Sequence, residues 1–221
     1  MLPEYLNNWL LFAIFFGLML LLTFIMMLQS RQFYTKDVIV RKFSIMELEV
    51  PASPKELVHI IKGLSLLPAP QSQKTIAALK AQLKLDFLFM PLVYGSVFFL
   101  CWRVAIKMNL HFGHYVFLGF ALLQLVPWIC DIIENIYLLN KINQGAQVTE
   151  TTDKKHTAYL YMEAFKWGIV LTATACALSA VCYFWLTGSY SATSFNYMLI
   201  VLAEIAVFAF IVKRAAKKNV A

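Results

Sequence analysis

Apolar positions along this chain gather into five long runs, and the polar residues concentrate between them. The runs are Trp9–Leu28, Phe87–Ile106, Tyr115–Leu139, Ala164–Leu186 and Phe195–Val212. About 20 helical residues cross about 30 Å of hydrocarbon, so each run predicts a membrane-spanning helix. The first is not read as a cleavable signal. Its leader holds Glu4 and no basic residue, and no small-x-small site precedes Gln29-Ser30-Arg31.

The longest polar excursion, 29–84, carries its own pattern. Val38–Val40 and Phe43–Val50 show partly alternating apolar positions with β-branched residues, which predicts a short strand pair. Ser53 as N-cap, Pro54 at the first helical position and Glu56 as the return arm of a capping box then predict a helix. Its apolar face is Leu57, Ile60, Ile61 and Leu64, with Gly63 and Pro68-Ala69-Pro70 as its stop. A second amphipathic helix, with Ile76, Leu79 and Leu83 on one face, is expected to begin at Ser72 and run unbroken into the second span. This segment is expected to pack as a cap at the headgroups, with docking of a protein partner as the sharper alternative.

Polar residues inside the spans are the exceptions that carry information. A carboxylate in hydrocarbon costs about 3 kcal/mol or more and must face protein or water. The third span holds Gln124, Trp128, Asp131 and Asn135 on one helical face, with Glu134 beside it and Pro127 within the stripe. Pro127 leaves the carbonyl of Leu123 without its usual donor, free to accept from a neighbour or to bend the helix. Asp86 stands at the start of the second span, and Glu163 and Lys166 form an i, i+3 pair at the start of the fourth. With Lys84 and Lys166 as the cations in reach, Asp86, Gln124, Asp131, Glu134, Asn135, Glu163, Lys166 and Glu204 form an expected intramembrane network. Glu204 stands alone near the middle of the fifth span. It is too short to snorkel, and must carry a proton or be hydrogen-bonded to Thr172, Thr174 or Gln124. Small residues from Ala173 to Ala180 make the fourth span the expected centre of the bundle. The first span, almost free of polar groups, reads as peripheral, facing lipid or a partner subunit.

Composition fixes the class. Hydrophobic residues make up 61% and charged residues 14% of 221, against about 45–50% and about 25% in soluble domains. The charge of +7 would suggest nucleic acid in a soluble protein. Here the basic residues lie between spans, and no aromatic-basic surface accompanies them, so nucleic-acid binding is not expected. Sixteen lysines and arginines fall in 29–84, 141–155 and the tail, against Arg103 and Lys107 on the other side. The positive-inside rule then places the N-terminus outside and the C-terminus in the cytoplasm.

The remaining motifs exclude more than they include. Cys101, Cys130, Cys176 and Cys182 all lie in apolar runs without zinc spacing; Cys101 and Cys182 share a membrane face and are a candidate disulfide. His111 and His114 read as solvated residues of a turn. No HExxH, GxSxG or phosphate-loop motif occurs. Asp131, Glu134 and Glu163 are the candidate metal ligands, suited as an oxygen set to magnesium, calcium or manganese; no cofactor is identified.

The expected architecture is an all-α integral membrane protein with an N-terminal anchor (1–29), a cytoplasmic amphipathic segment (30–85), a four-helix transmembrane bundle (86–213) and a basic tail (214–221). Three functions compete for the acidic network. The first is a non-enzymatic component of a larger membrane complex, bound to lipid and to a protein partner or second copy, in which the network fixes helix register. The second is a proton- or cation-coupled transporter using the carboxylates, Glu204 included. The third is a metal-dependent lipid-modifying enzyme. The size and short loops suggest a bacterial inner membrane.

Overall fold

A computed structural model describes residues 9–190 and 192–217; the leader and the end of the basic tail lie outside them. Among the described residues the chain is helical apart from one hairpin and the connecting turns. In order it forms α1 (Trp9–Gln29), β1 (Tyr34–Lys36), β2 (Val40–Lys42), α2 (Ile45–Glu49), α3 (Pro54–Ser65), α4 (Ala69–Lys107), α5 (His111–Leu123), α6 (Leu125–Gln144), α7 (Asp153–Leu186) and α8 (Ala192–Lys217). Among the described residues, four segments are long and apolar enough to cross a membrane: Trp9–Gln32, Ala69–Lys107, His111–Gln147 and Asp153–Leu186. The chain is therefore a helical membrane protein. It divides into two compact units.

The first unit comprises residues 1–24, 89–128 and 167–221. Its core is aromatic and small: Val97, Leu100, Cys101, Val104 and Ala105 of α4 meet Phe117 and Ala121 of α5 and Ala173 and Ala177 of α7. Cys101 Sγ lies 3.8 Å from the carbonyl of Ala173. That close approach uses only the i, i+4 pair Ala173 and Ala177; Ala175, Cys176, Leu178 and Ser179 are exposed. The other small residues of the fourth apolar run spread around the helix rather than along one face. The first run is largely exposed, as expected of a peripheral helix. Trp9 and Ala13 are buried, and Phe15 packs edge-on against Phe99, while Leu10, Ile14, Leu18 and Leu21 form the exposed side. All four cysteines are free, Cys101 buried and Cys182 exposed, which removes the candidate disulfide. His114 Nδ1 stands 2.8 Å from the carbonyl of Ala105, so it is held by backbone rather than solvated.

The second unit comprises residues 25–88 and 129–166. Its core joins Phe33 and Phe43 from the hairpin, Leu48 of α2, the face Leu57, Ile60, Ile61 and Leu64 of α3, Leu79 and Leu83 of α4, and Leu138 and Ile142 of α6. The hairpin is antiparallel, with Thr35 opposite Arg41. Its second strand pairs with Tyr34–Lys36, and the stretch expected to be its partner instead forms α2. The cause is a capping box: Ser44 accepts from Met46 N–H, and Glu47 accepts from Ser44 N–H. Ser-x-x-Glu overrides the weak alternation of Phe43–Val50. The start of α3 follows the expectation, with Ser53 Oγ accepting from Glu56 N–H at 3.3 Å. The return arm is displaced by one residue, because Glu56 accepts from Ala52 N–H at 2.6 Å.

Gly63 does not stop α3. It lies inside the helix, where the hairpin crosses closely: a Cβ there would stand 2.7 Å from the Lys36 carbonyl and clash with Thr35 Oγ1. Thr35 donates to the Ile60 carbonyl at 2.9 Å across the same crossing. Helix α4 begins at Ala69, earlier than Ser72, and runs 39 residues through Pro91 without a break. The third apolar run is interrupted at Gln124, one turn before Pro127. There the chain tightens, with Gln124 N–H bonding the Ala121 carbonyl.

Candidate functional site

The second unit holds a buried lysine grasped by three carboxylates. Helical spacing creates it. Asp131 and Glu134 sit i, i+3 on α6, and Glu163 and Lys166 sit i, i+3 on α7, so each pair shares a face. Lys166 Nζ lies 2.7 Å from Asp131 Oδ1, 2.6 Å from Glu134 Oε2 and 2.6 Å from Glu163 Oε2. Nζ donates to Glu134 Oε2, whereas Glu163 Oε2 meets it as an ion pair without a hydrogen bond. The side chains of Lys166, Glu134 and Glu163 are 6%, 3% and 4% exposed, whereas Asp131 keeps 18%.

Neutral donors extend the cluster. Tyr159 O–H donates to Glu134 Oε1 at 3.2 Å. Asn135 Nδ2 donates to Asp86 Oδ2 at 2.6 Å, tying α6 to the middle of α4. Both oxygens of Glu163 are buried with no hydrogen-bond partner among the described residues, Oε2 keeping only its ion pair with Lys166. The cluster therefore holds more acceptors than donors.

A fifth carboxyl belongs to this group. Burial pushes the Glu49 carboxyl up to about 7, reinforced by Asp86, offset in part by Lys166, and raised again by Glu163 and Asp131. The sequence pattern had placed Glu49 in a strand. The Ser44–Glu47 capping box is the signal that puts it on a helix end instead, and Tyr159 stands on the α7 face of Glu163 and Lys166, where its i, i+4, i+7 spacing puts it.

Of the residues expected to form the network, Asp86, Asp131, Glu134, Asn135, Glu163 and Lys166 come together. Gln124 and Glu204 do not. Gln124 is buried in the first unit, and its Nε2 donates to the Phe120 carbonyl of its own helix. Glu204 also belongs to the first unit. Its Oε2 is buried without a hydrogen-bond partner among the described residues, so the expected bond to Thr172, Thr174 or Gln124 is not made. Lys84 is exposed, leaving Lys166 as the cation at the centre. The three candidate metal ligands do converge, but on that ammonium. Among the described residues no group of three or more His, Cys, Asp and Glu is arranged to hold a metal ion.

Beside the cluster, still within the second unit, a cavity of about 320 Å³ is lined by Pro51, Pro54, Leu57, Ile133, Met162 and the rings of Tyr137 and Tyr159, with Glu134, Lys155 and His156 as its charged or titratable residues. No protein-family model matches this chain, and no curated protein or solved structure does either.

Proposed function

We propose that this chain is a non-catalytic component of a membrane assembly, in which the Lys166 cluster fixes how α6 and α7 register. The observation that carries this reading is the pairing itself. The three candidate metal ligands each stand within ion-pair distance of one buried ammonium, an arrangement that adds modest stability but selects one packing. The outward faces are correspondingly apolar: Tyr161, Phe165 and Leu171 of α7 are 60–73% exposed and suit lipid or a partner helix. The reading includes five spans, counting α8 for its single-charge run Phe195–Val212, with the N-terminus outside and a bacterial inner membrane as the setting.

Two experiments test it. Cysteines placed at Asn109 and Ser189 should react with an impermeant maleimide from outside intact cells, whereas one at Ser72 should not; labelling at Ser72 would overturn the topology. The purified chain in liposomes should show no proton flux above that of empty vesicles. Flux abolished by Asp131→Asn would replace this reading with a proton-coupled carrier. The specific observation favouring that second reading is the surplus of acceptors, Glu163 Oε1 and Glu49 included, which leaves room for protons to be held and passed.

A further inference from the structure

A second cavity lies in the first unit, where the second and fourth apolar runs end. Its volume is about 530 Å³, and its walls include Arg103, Lys107, Gly188, Ser189, Tyr190 and Ser194. Local structure brings these residues together. Arg103 and Lys107 stand i, i+4 in the last turns of α4 and share a face. Gly188, at φ +65, closes α7. Ser189 N–H then bonds the Phe184 carbonyl at 2.8 Å, which folds the chain back against the helix end.

Rings hold the two cations. The Arg103 guanidinium carbon lies 5.2 Å from the Trp9 ring centroid, and Lys107 Nζ lies 5.9 Å from that of Tyr190. Tyr190 in turn packs edge-on against Trp9 at 5.5 Å. A ring face attracts a cation without taking all its N–H donors. The Tyr190 hydroxyl is buried with no hydrogen-bond partner among the described residues. None of the described residues lining the cavity is a carboxylate. The one acid among the described residues of this unit is Glu204, twelve residues into α8 and about 18 Å along it. The walls thus present positive charge and donors, the chemistry that recognises an oxyanion.

The donors select among oxyanions. A guanidinium is a planar fork, an ammonium a point charge, and the phenol a third donor from another element. A planar carboxylate offers two oxygens, whereas a phosphate offers at least three and can meet all three groups. Ligand cavities run from about 300 to 1,000 Å³, so this one leaves room for the substituent of an ester. Its depth agrees with the spans. Arg103 lies in the last turn of the run 87–106 and Lys107 just past it, while 188–194 falls between the runs 164–186 and 195–212. The cavity therefore stands at the bilayer boundary, where headgroup phosphates and soluble phosphate esters both reach.

We propose that this cavity binds the phosphate of a phosphate ester, held by Arg103, Lys107 and the Tyr190 hydroxyl. The site uses where the apolar runs end, not which side of the membrane they face. None of its residues belongs to the Lys166 cluster, so it stands or falls separately from the function proposed above.

The full chain in dodecyl maltoside is titrated with sodium phosphate, glycerol phosphate, dihexanoylphosphatidylglycerol and acetate, with calorimetry for all four and phosphorus NMR line broadening as a second readout. At least one of the two esters should bind at one per chain, about tenfold or more tighter than acetate. Lys107→Glu reverses the charge on a half-buried side chain and should weaken that binding about tenfold, with the unfolding midpoint kept. Tyr190→Phe keeps the ring beside Lys107, removes only the hydroxyl, and should weaken binding severalfold. Glycerol phosphate binding as tightly as the phospholipid supports the site and assigns a soluble ester; binding of the phospholipid alone supports it and assigns a headgroup. Inorganic phosphate binding more tightly than either ester would overturn the ester, and acetate matching them would overturn the phosphate. Absence of binding by every probe, or undiminished binding in Lys107→Glu, refutes the site. If Lys107→Glu fails to fold, Tyr190→Phe decides alone, and unchanged affinity there refutes it.

Discussion

Glu134 and Glu204 are both carboxylates within apolar helices, and their surroundings are opposite. Glu134, in the second unit, receives an ammonium at 2.6 Å and a phenol at 3.2 Å. Glu204, in the first, has a buried oxygen with no partner among the described residues, and its neighbour is the backbone of Gly17. The glycines of the two units differ in the same sense. A Cβ on Gly63 would meet hairpin backbone at 2.7 Å, whereas one on Gly17 would meet the Glu204 carboxylate end, with Oε1 at 2.6 Å. The second unit is thus specified by polar pairing and a rigid crossing, the first by small and aromatic packing around a carboxylate that can move.

The sharpest way to break this contrast is Lys166→Met. It leaves Asp131, Glu134 and Glu163 facing one another without a cation, and removing one partner of a buried pair costs about 3–5 kcal/mol in soluble proteins. Hydrogen-bond cycles in membranes average about 0.6 kcal/mol, but here three pairs are lost together. Detergent thermal unfolding should show the largest loss of any single variant considered, and a midpoint within error of the parent would refute the structural role of the cluster.

Gly63→Ala comes second. Elsewhere in a helix the change stabilises by up to about 1 kcal/mol. At this crossing the hairpin must shift, and overpacking of that kind costs about 1–3 kcal/mol. Limited proteolysis of the segment 33–43 should accelerate in the variant and not in Gly17→Ala, whose obstacle is the end of a flexible side chain.

Third is Glu49→Gln, read against pH. The folded protein holds the Glu49 proton more tightly than the unfolded chain does, since its carboxyl is raised from 4.5 to about 7. This group therefore lowers stability as pH rises from about 4.5 to 7, and the loss persists above that range. Glu49→Gln should match the parent near pH 4.5 and unfold a few degrees higher at pH 8. Parallel unfolding curves across that interval would show that Glu49 is solvated.

How far the sequence reveals this contrast depends on the range of the interactions. The Glu163–Lys166 pair and the Asp131/Glu134 spacing lie within one turn of a helix, and both are legible. The apolar face of α3 is legible for the same reason. That Gln124 turns back to its own helix at Phe120, one turn away, is not, because a buried amide near a proline has two local solutions and only packing chooses. Glu49 joins the acids from a separate segment, and no periodicity in 43–50 announces it; the capping box does, once read as stronger than alternation. Gly63 shows the same limit: a glycine reads as a helix stop in sequence, and only the hairpin crossing explains it as a point of contact.

The smallest effect is expected from Glu204→Gln. No cation is lost, and a neutral amide of the same size fits beside Gly17. Expression and unfolding midpoint should equal those of the parent, and a loss above about 1 kcal/mol, the typical worth of one hydrogen bond, would mean that Glu204 holds a partner after all.

The claim that the buried lysine and its carboxylates act as one structural unit is tested most directly by a double-mutant cycle in thermal unfolding between Lys166→Met and Glu134→Gln. If the two side chains specify the packing together, removing the carboxylate charge restores part of what Lys166→Met loses, and the cycle gives a coupling of about 0.5–3 kcal/mol. Additive losses within about 0.3 kcal/mol would contradict the account.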